Sequence, residues 1–205
     1  GRTDHVFEGS LSDHNGAGGT PGGRRTLGLM AFIRARTTGP FGPALAEDYP
    51  DMVKQVVRFF DFQVSEVLFE YEKDSTNVLK FNEEWFYLAD SNVFQMFTFP
   101  LIEGDPNTVL DRPNTVVLSE STARRYFGDE PAIGKVLRLE EQVLVEVNGV
   151  MKDLPSQSHF NIDILGSMST YREMRRGHMP RTWIWTPCWN YVELAEQVTP
   201  GQLEA

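Results

Sequence analysis

Between Thr115 and Lys135 the chain packs a strand, a helix and a tight turn into one short segment, and each boundary carries a residue with a physical reason to stand there. Val116, Val117 and Leu118 form an apolar, β-branched run suited to a buried strand. Ser119 follows, and its hydroxyl can accept a hydrogen bond from one of the orphan amides of a helix beginning at the next residue. Ala123, Tyr126 and Phe127 then recur at helical spacing on one face. Gly128 can take a left-handed conformation and stop that helix. Asp129-Glu130-Pro131 starts a turn, and Ile133-Gly134-Lys135 leads into the next strand. Nothing in the segment is arranged as a catalytic centre, and the stretch reads as a structural signature.

The 205 residues suffice for one large domain or two small ones, and with 40% apolar and 12% aromatic residues a real core is within reach. No run approaches the roughly 20 apolar residues of a membrane span. The net charge of −10 makes nucleic acid a poor partner, because phosphate binding needs a basic surface. Two short basic clusters, Arg24-Arg25 and Arg172 with Arg175 and Arg176, are too small to reverse this. The single cysteine, Cys188, excludes an internal disulfide and reads as a small, partly buried residue between Pro187 and Trp189. Near the end, Thr199 and Gln202 fit a capping box with Pro200 at the first helical position. A helix starting so close to the last residue reads as part of a longer parent, from which this domain is cut.

Along the chain, Val6 to Glu8 reads as a short strand, and Gly16 to Gly23 as a loop that matches neither phosphate-binding glycine template. Leu27 to Arg34 reads as a strand and Pro43 to Tyr49 as a short helix. β-branched and aromatic residues dominate from Val53 to Phe69, and Leu68 to Tyr71 and Val78 to Trp85 form two arms around a polar turn at 72–77. Phe86 to Asp90 continues the sheet. Ser91 or Asn92 is placed to cap a helical turn through Phe97. Leu101 to Pro106 reads as a turn-rich passage. Val136 to Leu139 and Val143 to Met151 form a hairpin whose second arm alternates as a half-buried strand. Phe160 to Leu165 reads as a strand, Ser169 to Arg176 as a helix, and Asn190 to Leu194 as a final strand. Hairpins with a few short helices, and no regular βα alternation, define an α+β fold.

The chemistry-bearing residues do not assemble into a site. His5, His14, His159 and His178 show no metal-ligand spacing, and no nucleophile elbow surrounds Ser119 or Ser121. The adjacent pairs Glu83-Glu84 and Glu140-Glu141 point apart in a strand or turn and read as solvated charge. The expectation is a chain with no catalytic, cofactor or metal residues. Trp183, Trp185 and Trp189 stand out: Trp183 and Trp185 alternate and would share one face of a strand. They pack a core or present an aromatic face to a partner or apolar substrate. Arg172, Arg175 and Arg176 lie on one helix, as a solvated face or as a surface for an acidic partner or lipid headgroups.

Three ordered stretches together resemble one family. They are Phe86 to Phe94 leading through Phe97-Thr98-Phe99-Pro100 to Pro106; Thr115 to Lys135; and Val147 to Pro155 running through Ser158-His159-Phe160. In this order the chain, from about Pro43 to Tyr191, is similar to the periplasmic core domain of MacB/FtsX-type ABC transporter permeases. The resemblance implies two lobes: a small α/β porter-like lobe from residues 1–97 and 182–205, and an inserted, mostly β lobe from 98–181, with hinges near Phe99-Pro100 and Pro180-Arg181. It implies a location on the periplasmic side of the inner membrane, between two transmembrane helices. It implies a noncatalytic role, transmitting ATP-driven motion of those helices to export of a substrate or to a periplasmic partner protein. The implied partners are a cytoplasmic ABC ATPase subunit, a second permease copy and a periplasmic protein. His159 falls in the family's loop, as a loop-fixing hydrogen bonder. The alternatives are a stand-alone secreted ligand- or peptide-binding module, or a hydrolase of a type the residues do not reveal.

Overall fold

The computed structural model describes residues 30–158, 160–174 and 186–203. The expected strand at Val6 to Glu8, the glycine-rich loop and all four histidines lie outside these residues. Eleven strands and five short helices follow in chain order: β1 (Met30–Thr37), α1 (Phe41–Asp48), β2 (Val53–Phe60), β3 (Val67–Asp74), β4 (Asn77–Glu83), β5 (Phe86–Ala89), α2 (Val93–Met96), β6 (Leu101–Glu103), β7 (Thr115–Ser119), α3 (Glu120–Phe127), β8 (Val136–Leu139), β9 (Val143–Met151), β10 (Ile164–Ser167), α4 (Met168–Met174), β11 (Cys188–Leu194) and α5 (Pro200–Leu203). The α+β class expected from the sequence is the one found.

All eleven strands join one sheet, in the order β1-β11-β2-β5-β10-β7-β9-β8-β3-β4, with β6 pairing β9 from the side. Pairing is antiparallel except for β5 with β10 and β7 with β9. The strands of residues 98–181 fill the middle of this order. β1, β11, β2 and β5 flank them on one side and the β3–β4 hairpin on the other. The sheet is narrow at two joints: β2 and β5 share two register pairs, Phe59↔Ala89 and Phe60↔Leu88, and β3 and β8 share two, Phe69↔Leu139 and Glu70↔Arg138, whereas β11 and β2 share seven.

Alternation along the strands divides the core into two faces. One face carries Phe60, Phe69, Phe86, Leu88, Leu118, Leu137 and Ile164, covered by α3 and α4 through Tyr126, Phe127 and Tyr171. The other carries Val57, Phe59, Val117, Leu165 and Tyr191, covered by α2 and by residues 97–110 and 154–162. A smaller cluster, Val53, Val192 and Leu194, seats α1 and α5 through Leu45 and Leu203, so the first and last described elements sit at the same end of the sheet.

The segment from Thr115 to Lys135 forms as its residues dictate. β7 is buried at all five positions. Ser119 Oγ accepts from the Thr122 amide, and Asp153 Oδ1 accepts from the Ser121 amide at 3.0 Å, so two of the helix's orphan donors are satisfied. Glu120 in the first turn and Arg124 and Arg125 in the last complement the helix dipole. Gly128 ends the helix at φ +64°.

Several local expectations are corrected. Asn92 precedes α2 without capping it; its amide instead donates to Gln55 Oε1 and to the Val56 carbonyl on β2. Leu101 to Glu103 is strand β6, recruited by β9, where a turn was expected. The strand expected at Phe160 to Leu165 begins only at Ile164, because Phe160 and Ile162 turn down into the core of the second face. The helix at 199–203 keeps half of its capping box: the Gln202 side chain accepts from the Thr199 amide at 2.8 Å. Glu83, read as solvated, is 2% exposed and is held by the Tyr126 hydroxyl at 2.7 Å and by Arg125 at 2.5 Å.

The β2–β5 joint is clamped by charge. Arg58 on β2 donates through Nε and Nη2 to the two carboxylate oxygens of Asp90, at 2.8 and 2.7 Å, and its amide donates to the same carboxylate. The Asp90 amide returns a bond to the Arg58 carbonyl, and Arg58 Nη1 reaches the Gly39 carbonyl before α1. Burial disfavours the Arg58 charge. The Asp90 hydrogen bonds and charge more than offset this and raise the guanidinium pKa. Removing one partner strands a mostly buried charge. Asp90→Ala is therefore expected to lower unfolding free energy by about 3 kcal/mol, and urea denaturation followed by tryptophan fluorescence checks it.

Candidate functional site

The same joint carries a half-open cleft of about 150 Å³ lined by Phe59, Trp85, Tyr87, Phe160, Asn161, Trp189 and Tyr191. Strand register builds it. Phe59 on β2 stands opposite Trp189 on β11 and Ala89 on β5, so these residues share a face. Tyr191 and Tyr87 join that face two residues along their strands. Trp85, at the bend before β5, extends the row.

The floor of the cleft is packed ring against ring. The Phe59 ring lies 5.1 Å from Phe160 and 5.6 Å from both Tyr191 and Phe97, centroid to centroid. Phe97 stacks on Phe99 at 5.3 Å with ring planes 9° apart. Edge-to-face and offset contacts of this kind add to what area burial contributes. The rim is more open: Trp85 is 39% exposed and Asn161 is exposed, while Tyr87, Phe160 and Trp189 are half-buried. The Trp85 carbonyl accepts from the Asp163 and Ile164 amides at 2.9 and 3.2 Å, which fixes the backbone under the exposed indole.

Behind Trp85 lies a polar network centred on Glu83. Burial pushes the Tyr126 hydroxyl well above its ordinary pKa, and the hydrogen bond to Glu83 adds to the shift. Burial also raises the Asp163 carboxyl, with the Glu83 charge contributing. Ser119 hydrogen-bonds Thr122 at 2.9 Å and Ser121 Oγ donates to Asp153 at 2.8 Å; these hydroxyls serve the start of α3. No group of three or more His, Cys, Asp or Glu able to hold a metal ion occurs among the described residues. Cys188 is 1% exposed, and burial pushes its thiol up to about 12.

Of the residues singled out from the sequence as a partner or substrate surface, Arg172 is exposed on α4. Trp183, Trp185, Arg175 and Arg176 lie outside the described residues. Trp189 lines the cleft. The sequence reading missed Phe59, Trp85, Tyr87, Phe160 and Tyr191 as one site. Aromatic pairs spaced by two at 85/87 and 189/191 were visible, but only the pairing of β11 with β2 and of β2 with β5 brings them together.

Among the described residues no helix is long and apolar enough to cross a membrane. The chain belongs to the MacB-like periplasmic core domain family, whose model matches residues 3–205. No curated protein matches it in sequence. Among solved structures, a domain described as from a permease protein of Porphyromonas gingivalis is 27% identical over 82% of this chain and 67% of its own, with a TM-score of 0.64. The periplasmic region of MacB from Actinobacillus actinomycetemcomitans is 16% identical over 83% of this chain and 71% of its own, with a TM-score of 0.58. The extracellular domain of the noncanonic ABC-type transporter YknZ from Gram-positive bacteria is 16% identical, over 82% and 76%, with a TM-score of 0.52. The last two show the shared fold.

The floor and rim of the cleft differ in what they contribute to stability. Phe59→Ala is expected to cost about 4 kcal/mol of unfolding free energy, while Trp85→Ala costs under about 1 kcal/mol. Paired denaturation curves of the two variants check this difference.

Proposed function

We propose that this chain is the noncatalytic, moving extracytoplasmic part of an ABC permease at the inner membrane. It carries ATP-driven displacement of transmembrane helices to a substrate or a periplasmic partner that it engages at the aromatic cleft. The ATPase is a separate subunit or domain in this reading, and a second permease copy completes the transporter. The observation that carries it is the placement of β1 and α5 together at one end of the sheet, with the narrow β2–β5 joint between that end and the rest. A displacement applied at β1 and α5 meets the β2–β5 joint, with its two register pairs, before the middle of the sheet. In the two-lobe organisation, 98–181 forms the second lobe against 1–97 and 182–205. The β3–β4 hairpin, part of the first lobe by sequence, pairs β8 of the second. The cleft straddles the joint, so bending the joint changes the cleft.

Spin labels test this in the whole permease with its ATPase. Glu47→Cys on α1 and Val78→Cys on β4 place labels at exposed positions on opposite ends of the sheet. Cys188 is too buried to compete for label. The expected result is a label–label distance distribution that shifts between the ATP-bound and nucleotide-free states. An unchanged distribution, in a transporter that still hydrolyses ATP, contradicts the reading.

A further inference from the structure

We propose that the turn from Thr37 to Gly42 is a latch that locks β1 and α1 to β11 and β2 as one rigid body, so that a displacement of β1 reaches the β2–β5 joint undiminished. This deepens the mechanical reading and rests on it. Two side chains on adjacent strands grip the turn. Asn190 on β11 and Arg58 on β2 are register partners, so they stand side by side on the face where Val56 and Val192 seat α1. Asn190 is fully buried. Its Oδ1 accepts from the Gly42 amide at 3.1 Å, and its Nδ2 donates to the Thr37 hydroxyl and to the Thr38 carbonyl, the latter at 3.3 Å. Arg58 Nη1 donates to the next carbonyl, that of Gly39, at 3.2 Å. The Thr37 hydroxyl donates in turn to the Cys188 carbonyl at 3.4 Å, back on β11.

Three features distinguish a latch from ordinary packing. The grip falls on main-chain atoms, the Gly42 amide and the Thr38 and Gly39 carbonyls, so it holds the path of the turn itself. The seat admits only glycine at position 42, because a Cβ there collides with Asn190 Oδ1 and Val56 Cγ1. The guanidinium that holds Gly39 also holds Asp90 on the far side of the joint, at 2.8 and 2.7 Å, so latch and clamp share Arg58. The Asn190 amide engages donors and acceptor together, and lifting the turn strands those buried polar atoms away from water. Thr38 is the one imperfection. Its hydroxyl is buried and has no hydrogen-bond partner among the described residues, which weakens the closed latch.

The test uses the whole permease with its ATPase, labelled at Glu47→Cys and Val78→Cys, and adds backbone hydrogen exchange. Asn190→Leu keeps the size of the side chain and removes its three grips. Gly42→Ala pushes the turn off its seat. In both variants the amides of residues 41–44 are expected to exchange at least about tenfold faster, while β7 and β9 keep their protection. The fraction of molecules whose label distance shifts between the ATP-bound and nucleotide-free states falls at least about twofold, because the loosened turn absorbs the displacement. Thr38→Val acts in the opposite sense. It keeps the shape without the unpaired hydroxyl, so exchange at 41–44 slows by about fivefold and the label shift is preserved. If Gly42→Ala fails to fold, seen as lost protection in β7 and β9, Asn190→Leu and Thr38→Val decide. A full-sized label shift in variants whose turn is loosened overturns the latch and leaves the mechanical reading standing. Unchanged exchange at 41–44 in Asn190→Leu also overturns the latch. Absence of any shift in the permease carrying only the labels overturns the mechanical reading, and transmission through the latch with it.

Discussion

The bidentate ion pair between Arg58 and Asp90 sits at one of the narrowest joints of the sheet. Strands β2 and β5 meet over two register pairs, and the guanidinium spans that joint with two side-chain bonds to the carboxylate and a third to the backbone before α1. Neighbouring joints are wider: seven register pairs join β11 to β2 and four join β5 to β10. A charged clamp suits a joint that must hold and yet move. Two parallel charge-assisted bonds are strong and directional, while hydrophobic packing gives the same joint depth through Phe59 and Phe60 on its two faces. The clamp also ties the β1–α1 turn to the joint, so a displacement of β1 is felt there directly.

The proposed contact surface and the proposed bending point then fall together. The floor residue of the cleft, Phe59, is itself one of the two register partners across β2 and β5. The cleft walls come from β11 on one side of the joint and from the approach to β5 on the other. In the proposed reading, a partner or substrate engaged at the cleft would contact strands on both sides of the β2–β5 joint, and its binding free energy would be available to favour one joint angle over another. Coupling of this kind needs no long relay of side chains, because one short joint carries both the load and the ligand.

Much of this was legible in the sequence, for physical reasons that differ from element to element. The segment Thr115 to Lys135 could be read residue by residue because each boundary is set by local chemistry: a β-branched run, a serine cap, a glycine stop. The hairpin at Val136 to Met151 was legible from its period-two alternation. The ordered family stretches fixed the class of protein. Other features depend on partners distant in sequence and leave no local mark. Glu83 looked like one of two adjacent surface carboxylates; it is buried only because α3 brings Tyr126 and Arg125 to it. Leu101 to Glu103 has turn residues around it and becomes a strand only because β9 offers it an edge. The Arg58–Asp90 clamp joins residues 32 apart that have no pattern in common. The cleft was invisible for the same reason, since its aromatic residues come from three strands and two connecting segments whose register the sequence does not state.

Native-state hydrogen exchange on the intact chain and on Asp90→Ala tests the central claim most directly, that the β2–β5 joint is a weak point of the sheet and this ion pair its clamp. The account predicts that in the variant the amides of β1, β11 and β2 lose protection together, as one opening unit, while β7 and β9 keep theirs. A loss of protection spread evenly over all strands, or confined to the edge strand β4, would contradict it.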